Sequence, residues 1–274
     1  MNYKVTVSVI VPAYNAERTL RATVDAVIAQ TFGDWELLIC DDCSADGTFE
    51  LAQEFARLDP RIRALRNERN MKQAATRNRL IEMARGVYIA PVDADDVPLP
   101  NKLEAQVAFM DANPEYAYCS SWIRTMDDDG NIKDLTTRFS GEVNKRDYLW
   151  GMKFCHPATM FRTEQLRHMG GYRVHKTTEF RNEDYDLFMR MHAEGMRGYV
   201  MPEYLYVYYA GSEALKRRKY RYRWAEAKVR FENFKRLGLM PLGFLYAVKP
   251  MIVGLFPQTL LERMRVLLRA GRLL

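Results

Sequence analysis

Val87-Tyr88-Ile89-Ala90-Pro91-Val92-Asp93-Ala94-Asp95-Asp96 runs from an apolar stretch straight into three carboxylates. Residues 87–92 read as a strand, and the acidic group marks where it leaves the core. Working toward the N-terminus, residues 73–85 read as a helix, with Gly86 where helices commonly end. Residues 62–65 read as a short strand. Residues 48–58 read as a helix entered through Asp46-Gly47, and residues 35–40 as a buried strand. Residues 17–30 place Leu20, Val24, Val27 and Ile28 at helical spacing. Residues 5–11 are an unbroken apolar run rich in β-branched side chains, as a strand buried on both faces requires. The order β-α-β-α-β-α-β predicts a parallel sheet covered by helices. Such sheets bind ligands at the carboxyl ends of their strands. Asp41-Asp42 and Asp93-Ala94-Asp95-Asp96 follow the second and fourth strands, so two acidic groups share one rim.

Toward the C-terminus, residues 98–110 read as a helix. Residues 116–124 and 132–139 read as two strands joined at Asp127-Asp128-Asp129-Gly130, whose composition is that of a polar turn rather than a metal site. Residues 157–161 read as a short strand. Residues 183–194 read as a helix, with Tyr185, Leu187 and Met191 at helical spacing and Gly195 beyond. The tail differs. Residues 212–236 are dense in Lys, Arg and aromatic side chains. Residues 241–257 are mostly apolar but interrupted by Lys249-Pro250, and shorter than the ~20 residues that span a bilayer. Leu260, Leu261, Met264, Leu267 and Leu268 then share one helical face, with Arg263, Arg265, Arg269 and Arg272 on the rest. That pattern reads as a basic amphipathic segment at a membrane surface.

The chain has 274 residues, 48% hydrophobic and 28% charged, which suits one large α/β domain with an appendage and excludes collagen-like, coiled-coil and fully disordered classes. Its net charge of +6 is unevenly spread. Residues 1–211 carry 26 Lys and Arg against 31 Asp and Glu, whereas residues 212–274 carry 15 against 4. An anionic partner, nucleic acid or membrane, would therefore meet the tail rather than the domain. The four cysteines are too few for a disulfide scaffold and lack zinc-site spacing, so Cys40-Asp41-Asp42-Cys43 reads as two incidental thiols. No secretory leader is visible, which predicts a cytoplasmic chain.

The rim carries the chemistry. Asp93-x-Asp95 offers hard oxygen ligands for Mg²⁺ or Mn²⁺, and Mg²⁺ typically takes one or two carboxylates plus substrate phosphates. D-x-D spacing favours Asp95 over Asp96 as the main ligand. Tyr14 can stack on a planar base. Asp42 can accept hydrogen bonds from base N–H groups, and Arg77 can offset phosphate charge or contact the base. Asp184 serves either as a reacting carboxylate or as a favourable charge at a helix N-terminus, with Glu183 as its competitor. His156 is either an acceptor contact or a buried structural residue. No G-x-G-x-x-G follows the first strand, which disfavours a dinucleotide site, and no G-x-x-x-x-G-K-[ST] occurs, which excludes a P-loop.

These residues carry a family resemblance. Val9-Ile10-Val11-Pro12-Ala13-Tyr14-Asn15 looks like the opening strand of family 2 glycosyltransferases. Asp41-Asp42-Cys43-Ser44-Ala45-Asp46-Gly47-Thr48 resembles their D-D-x-S-x-D-G-T segment, with Cys43 where Gly or Asn is commoner. Arg77-Asn78 with Ala84-Arg85-Gly86-Val87-Tyr88-Ile89 is similar to their R-N…A-x-G-x-Y-I run. Asp93-Ala94-Asp95-Asp96 matches D-x-D-D, and Glu183-Asp184-Tyr185-Asp186-Leu187-Phe188-Met189-Arg190 resembles the E-D-x-x-L-x-x-R helix of their acceptor half. The resemblance implies a GT-A fold, with a Rossmann-like, mostly parallel sheet, and an inverting transfer from a nucleoside-diphosphate sugar. It also implies roles. Pro12, Tyr14 and Asp42 would frame the base, and Arg77 would assist the nucleotide. Asp93 would contact ribose or metal, and Asp95 would ligate Mn²⁺ or Mg²⁺. Asp184 would be the base that deprotonates the acceptor hydroxyl, with His156 and Glu183 on the acceptor side.

Two departures refine the expectation. Processive members carry Q-x-x-R-W, but here Tyr220 stands in the Gln position before Arg223-Trp224, which points to addition of one sugar. All four histidines precede the tail, so no C-terminal His is offered to the metal. The expected organisation is a nucleotide-sugar half over residues 1–97, an acceptor half over 98–211, and a basic helical tail over 212–274. The expected acceptor is a glycan or a lipid-linked glycan of surface polysaccharide or lipopolysaccharide type. The tail would rest on the inner face of the cell membrane, and nucleic acid is not an expected partner. The competing readings are a nucleotidyltransferase on a related fold and a non-catalytic nucleic-acid-binding protein using the tail.

Overall fold

A computed structural model describes residues 5–134, 139–175, 182–211, 220–253 and 255, without the side chain of Arg221. Strands β1 (Val5–Ala13), β2 (Trp35–Asp41), β3 (Ile62–Arg66) and β4 (Gly86–Pro91) alternate with helices α1 (Leu20–Ile28), α2 (Thr48–Leu58) and α3 (Gln73–Met83). Then follow β5 (Val97–Pro98), α4 (Lys102–Ala112), β6 (Tyr116–Met126), β7 (Ile132–Asp134), β8 (Gly141–Glu142), β9 (Met160–Arg162), α5 (Thr163–His168), α6 (Glu183–Ala193), β10 (Arg197–Tyr209), α7 (Arg221–Arg236) and α8 (Leu242–Val253). One mixed sheet runs β3-β2-β1-β4-β9-β6-β10-β5. β3, β2, β1 and β4 are mutually parallel, and β9 is antiparallel to both β4 and β6.

Alternation along the strands divides the core into two. Val7, Val9, Val11, Leu37 and Ile39 pack with α1, α2 and α4, while Ile10, Leu38, Cys40 and Ile89 pack with α3 and α6. Each such side chain, fully buried, contributes about 1.5–3 kcal/mol. The four cysteines are free, and burial pushes the Cys40 thiol up to about 11.

Several local expectations differ from what forms. The helix expected over residues 73–85 stops at Met83, and Gly86 is not its cap but the first residue of β4. A Cβ at Gly86 would lie 2.4 Å from the Ser8 backbone nitrogen, so close strand approach fixes this glycine. Buried Glu36 ends the helix instead: its Oε1 accepts from the Arg85 backbone N–H at 2.7 Å, and its Oε2 from Arg85 Nε at 2.8 Å. Pro98 belongs to β5, and α4 begins four residues later, at Lys102. His156, Pro157 and Ala158 make a tight helical turn before β9. The longest strand, β10, was not anticipated. It pairs in parallel with β6 through register shifts near Met201 and Tyr204, and these irregularities blur its period. The acidic turn is a turn: Asp127 Oδ1 accepts the backbone N–H groups of Asp129 and Asn131, and Gly130 takes a φ of 80°. The basic amphipathic segment at 260–272 lies outside the described residues. Among the described residues, no helix is long and apolar enough to cross a membrane.

Candidate active site

The loops leaving β1, β2 and β4 open into a cavity of about 1110 Å³. Pro12, Tyr14, Asp42, Arg77, Asp93, Asp95, His156, Glu183 and Asp184 all line it. The parallel strands account for the first part of this set, because their carboxyl ends share one rim. Tyr14 is half exposed, with its ring open to the cavity.

Asp42 does more than wait for a base. Its Oδ1 accepts from Asn67 Nδ2 and from the Met71 backbone N–H, both at 2.7 Å, and its Oδ2 accepts from the Lys72 backbone N–H at 2.9 Å. The carboxylate therefore anchors the N-terminus of α3, where negative charge is favoured. It also holds Lys72 at a φ of 71°. Among the described residues, Asn15 and Cys43, at 50° and 61°, are the other non-glycine residues with positive φ, and all three lie at this rim. Strain of this kind, about 1–3 kcal/mol per residue, tends to collect where a ligand is held.

Arg77 is buried and joins the two ends of the cavity. Its Nη2 donates to Asp93 Oδ1 at 2.7 Å, and its Nη1 donates to Glu183 Oε1 at 3.1 Å. Burial opposes its charge, but Asp93 and Glu183 more than offset this and hold it protonated. Its Nε has no hydrogen-bond partner among the described residues. The guanidinium that the sequence offers to the nucleotide is thus committed to two carboxylates. On α6, Glu183 is thus paired with Arg77, while Asp184 lies at the cavity wall.

Asp184 is pushed up to about 7, first by burial and then by the neighbouring charge of Glu183. Its Oδ1 accepts the Tyr185 backbone N–H at 2.7 Å. Asp186, two residues on, turns the other way. It is fully buried, receives Arg190 Nε at 2.7 Å and Asn233 Nδ2 of α7 at 2.9 Å, and so fixes the rear of α6. His156 is buried, with Nε2 2.5 Å from the Tyr172 hydroxyl. Burial, with Arg77 nearby, drives its pKa well down, so it is neutral and locked in place rather than a proton carrier.

Asp93 and Asp95 both line the cavity, while Asp96 turns into the protein. Asp96 Oδ1 accepts the Tyr209 backbone N–H at 2.7 Å, and burial with the charges of Asp93 and Asp95 raises its pKa well above normal. Asp96 therefore ties β10 to the rim. Among the described residues, no group of three or more acidic, His or Cys side chains could hold a metal by itself. Two carboxylates on one wall suit an ion that completes its shell from substrate phosphates.

The sequence reading missed three contributors. Lys72 brings an exposed cation to the rim beside the N-terminus of α3. Asn67 braces Asp42. Trp122, Phe139, Trp150, Phe154, Tyr208 and Tyr209 form an aromatic wall of the cavity. No sequence signal marks Asn67, but Tyr208 and Tyr209 fall in a stretch that a strand assignment for residues 197–209 would have gathered.

Comparison with known proteins agrees with the geometry. The model of glycosyl transferase family 2 matches residues 8–170. EpsE of Bacillus subtilis (strain 168), provisionally named a glycosyltransferase, is 35% identical over 96% of this chain and 94% of its own length. WfgD of Escherichia coli, named a UDP-Glc:α-D-GlcNAc-diphosphoundecaprenol β-1,3-glucosyltransferase, is 45% identical over 38% of this chain and 40% of its own. S. aureus TarS 1–349, solved with UDP-GlcNAc, superposes with a TM-score of 0.68 over 91% of this chain and 71% of that one, at 19% identity. The mannosyltransferase PcManGT of Pyrobaculum calidifontis, solved with GDP-Man and Mn²⁺, gives 0.61 over 97% and 81%, at 18% identity. The chain belongs to glycosyltransferase family 2 and has the GT-A fold.

Proposed function

We propose that this glycosyltransferase moves one sugar, with inversion, from a nucleoside-diphosphate sugar to a hydroxyl of a glycan or lipid-linked acceptor in surface-polysaccharide synthesis. One observation carries the reading: a carboxylate poised near neutrality, Asp184, shares a cavity with the Asp93 and Asp95 carboxylates of the opposite chain segment. Residues 1–97 hold the donor and 98–211 the acceptor. WfgD and EpsE support the surface-glycan assignment, and the printed name of WfgD supports a lipid-linked acceptor. Tyr220, in place of Gln, supports single addition.

Inversion requires in-line attack on the anomeric carbon by a hydroxyl that loses its proton as the bond forms. Asp184 takes that proton, and the electron pair of the broken C–O bond leaves on the nucleoside diphosphate. Tyr14 stacks on the base, Asp42 accepts from it through the remaining lone pair of Oδ2, and Lys72 meets phosphate charge at the rim. Asp95, with Asp93, would hold Mn²⁺ or Mg²⁺, which when bound supplies Lewis-acid stabilisation of the departing diphosphate. Mn²⁺ in PcManGT supports a divalent ion here. The enzyme works at the inner face of the cell membrane, where such acceptors are reached, and nucleic acid plays no part.

The test is a thermal-shift and turnover screen of nucleotide sugars with Mn²⁺. Wild type should bind and turn over at least one donor. Asp95→Ala should lose metal-dependent donor binding, whereas Asp184→Ala should keep it and lose transfer. Transfer retained in Asp184→Ala would remove Asp184 as the base, and a chain inert toward every donor would sink the reading.

A further inference from the structure

The α7–α8 hairpin is built inside out. α8 turns Gly243, Ala247 and Pro250 inward, and Gly243 lets it press close to Phe234 of α7. The same helix leaves Leu242, Leu245 and Ile252 more than half exposed, on the i, i+3, i+10 face. A surface helix of a domain surrounded by water does the reverse. α7 exposes Trp224, Lys228, Phe231 and Lys235 at i, i+4, i+7 and i+11, so rings and ammonium groups alternate along one stripe. The two faces join where the Phe231 and Phe244 rings meet edge to face at 6.3 Å. The patch also reaches the active site. Trp150, 67% exposed, lines the cavity, packs against Tyr246 of α8 at 5.1 Å, and has Lys249 Nζ 5.9 Å from its ring centroid.

Apolar exposure on this scale marks a docking surface, and charge selects the occupant. The acidic residues of α7 are drawn into internal pairs, Glu226 with Arg223 and Arg230, and Glu232 with Arg173. Lys228, Lys235, Arg236 and Lys249 remain exposed around the apolar side chains. Residues 256–274 carry four Arg against one Glu, so that segment would meet like charge on this face. A second copy would bring the same cations. An anionic bilayer satisfies both the apolar side chains and the lysines, and Trp with Lys is the composition of membrane-interface belts.

We propose that the exposed face of α7 and α8 docks on an anionic lipid bilayer with Trp150 at its edge. The cavity mouth then opens onto the headgroup layer. The docking rests on the surface alone, while its use in presenting a lipid-linked acceptor rests on the transferase reading above.

The experiment is flotation of the full chain with phosphatidylglycerol-rich or pure phosphatidylcholine vesicles, alongside turnover of a nucleotide sugar in solution. Wild type should float with the anionic vesicles and much less with the zwitterionic ones. Leu242→Glu with Leu245→Glu should lower the bound fraction by about 10-fold or more. Lys228→Gln with Lys235→Gln should erase most of the preference for anionic lipid. Both double variants should turn over donor in solution like wild type, which shows that they fold. Flotation unchanged in both would overturn the proposal and move any attachment to another segment. A wild type that ignores vesicles but forms dimers dissolved by Leu242→Glu with Leu245→Glu would overturn it in favour of a second copy. Intact flotation without any donor turnover in wild type would defeat the transferase reading and leave the docking surface standing.

Discussion

Acidification should switch this enzyme off through one side chain. Asp184 is held at about 7 by burial and by the charge of Glu183, and only its ionised form can take a proton from the acceptor. Going from pH 8 to pH 6 lowers the ionised fraction from about nine-tenths to about one-tenth, so kcat/KM for transfer should fall about 10-fold, with unit slope on the acid limb. An aspartate at its ordinary value near 3.9 would change by only about 1% over the same interval. Asp184→Asn should lower transfer by about 10²–10⁴-fold and abolish the acid limb. The assay is steady-state release of nucleoside diphosphate from pH 5.5 to 8.5, with donor and metal concentrations checked for saturation at each pH. A flat profile in wild type, or an acid limb that persists in Asp184→Asn, would refute the reasoning. The same shift has the opposite sign for folding. A carboxyl whose folded pKa is raised contributes stability at low pH that is lost as pH climbs through about 7, so catalysis gains where stability declines.

Arg77→Met should destabilise the protein by about 3–5 kcal/mol in chemical denaturation, because Asp93 and Glu183 would lose the cation between them. A loss under about 1 kcal/mol would show that the triad is not structural. Asp95→Asn should raise the Mn²⁺ concentration for half-maximal donor binding at least ~10-fold in a thermal-shift titration, and an unchanged midpoint would remove Asp95 as a ligand. Gly86→Ala should cost about 1–3 kcal/mol, since its Cβ would meet the Ser8 backbone at 2.4 Å. Wild-type stability in that variant would mean that β1 and β4 separate more easily than their packing implies.

What the sequence disclosed and what it hid have physical causes. β1, β2 and β4 are buried on both faces, so their residues form unbroken apolar runs whose carboxyl ends are easily located. That placed Asp42, Asp93 and Asp95 on one rim. β10 escaped because its bulges break the two-residue period and its tyrosines serve both the core and the cavity. Arg77 lies in the cavity, but its partner Glu183 is 106 residues away, and no local pattern announces an ion pair at that separation. Gly86 carried a helix-stop signal and proved to be a strand contact, because the spacing of two strands, invisible in one segment, set its requirement. The motif at 183–190 located the helix, but the opposite bearings of Asp184 and Asp186 emerge only once α7 is packed behind it.

The two-sided tether of α6 has an evolutionary corollary. At its front, Glu183 is fastened through Arg77 to Asp93 on the rim. At its back, Asp186 is fastened to Asn233. Under the proposed function, Asp184 between them is therefore registered to the sugar donor rather than to whatever occupies the acceptor side. Of the aromatic wall, Phe154 packs on Phe188 of α6, but Trp122, Phe139 and Trp150 belong to other segments and can be rewritten without disturbing that registration. A lineage could exchange those segments and acquire a new acceptor in one step, with its chemistry already aligned.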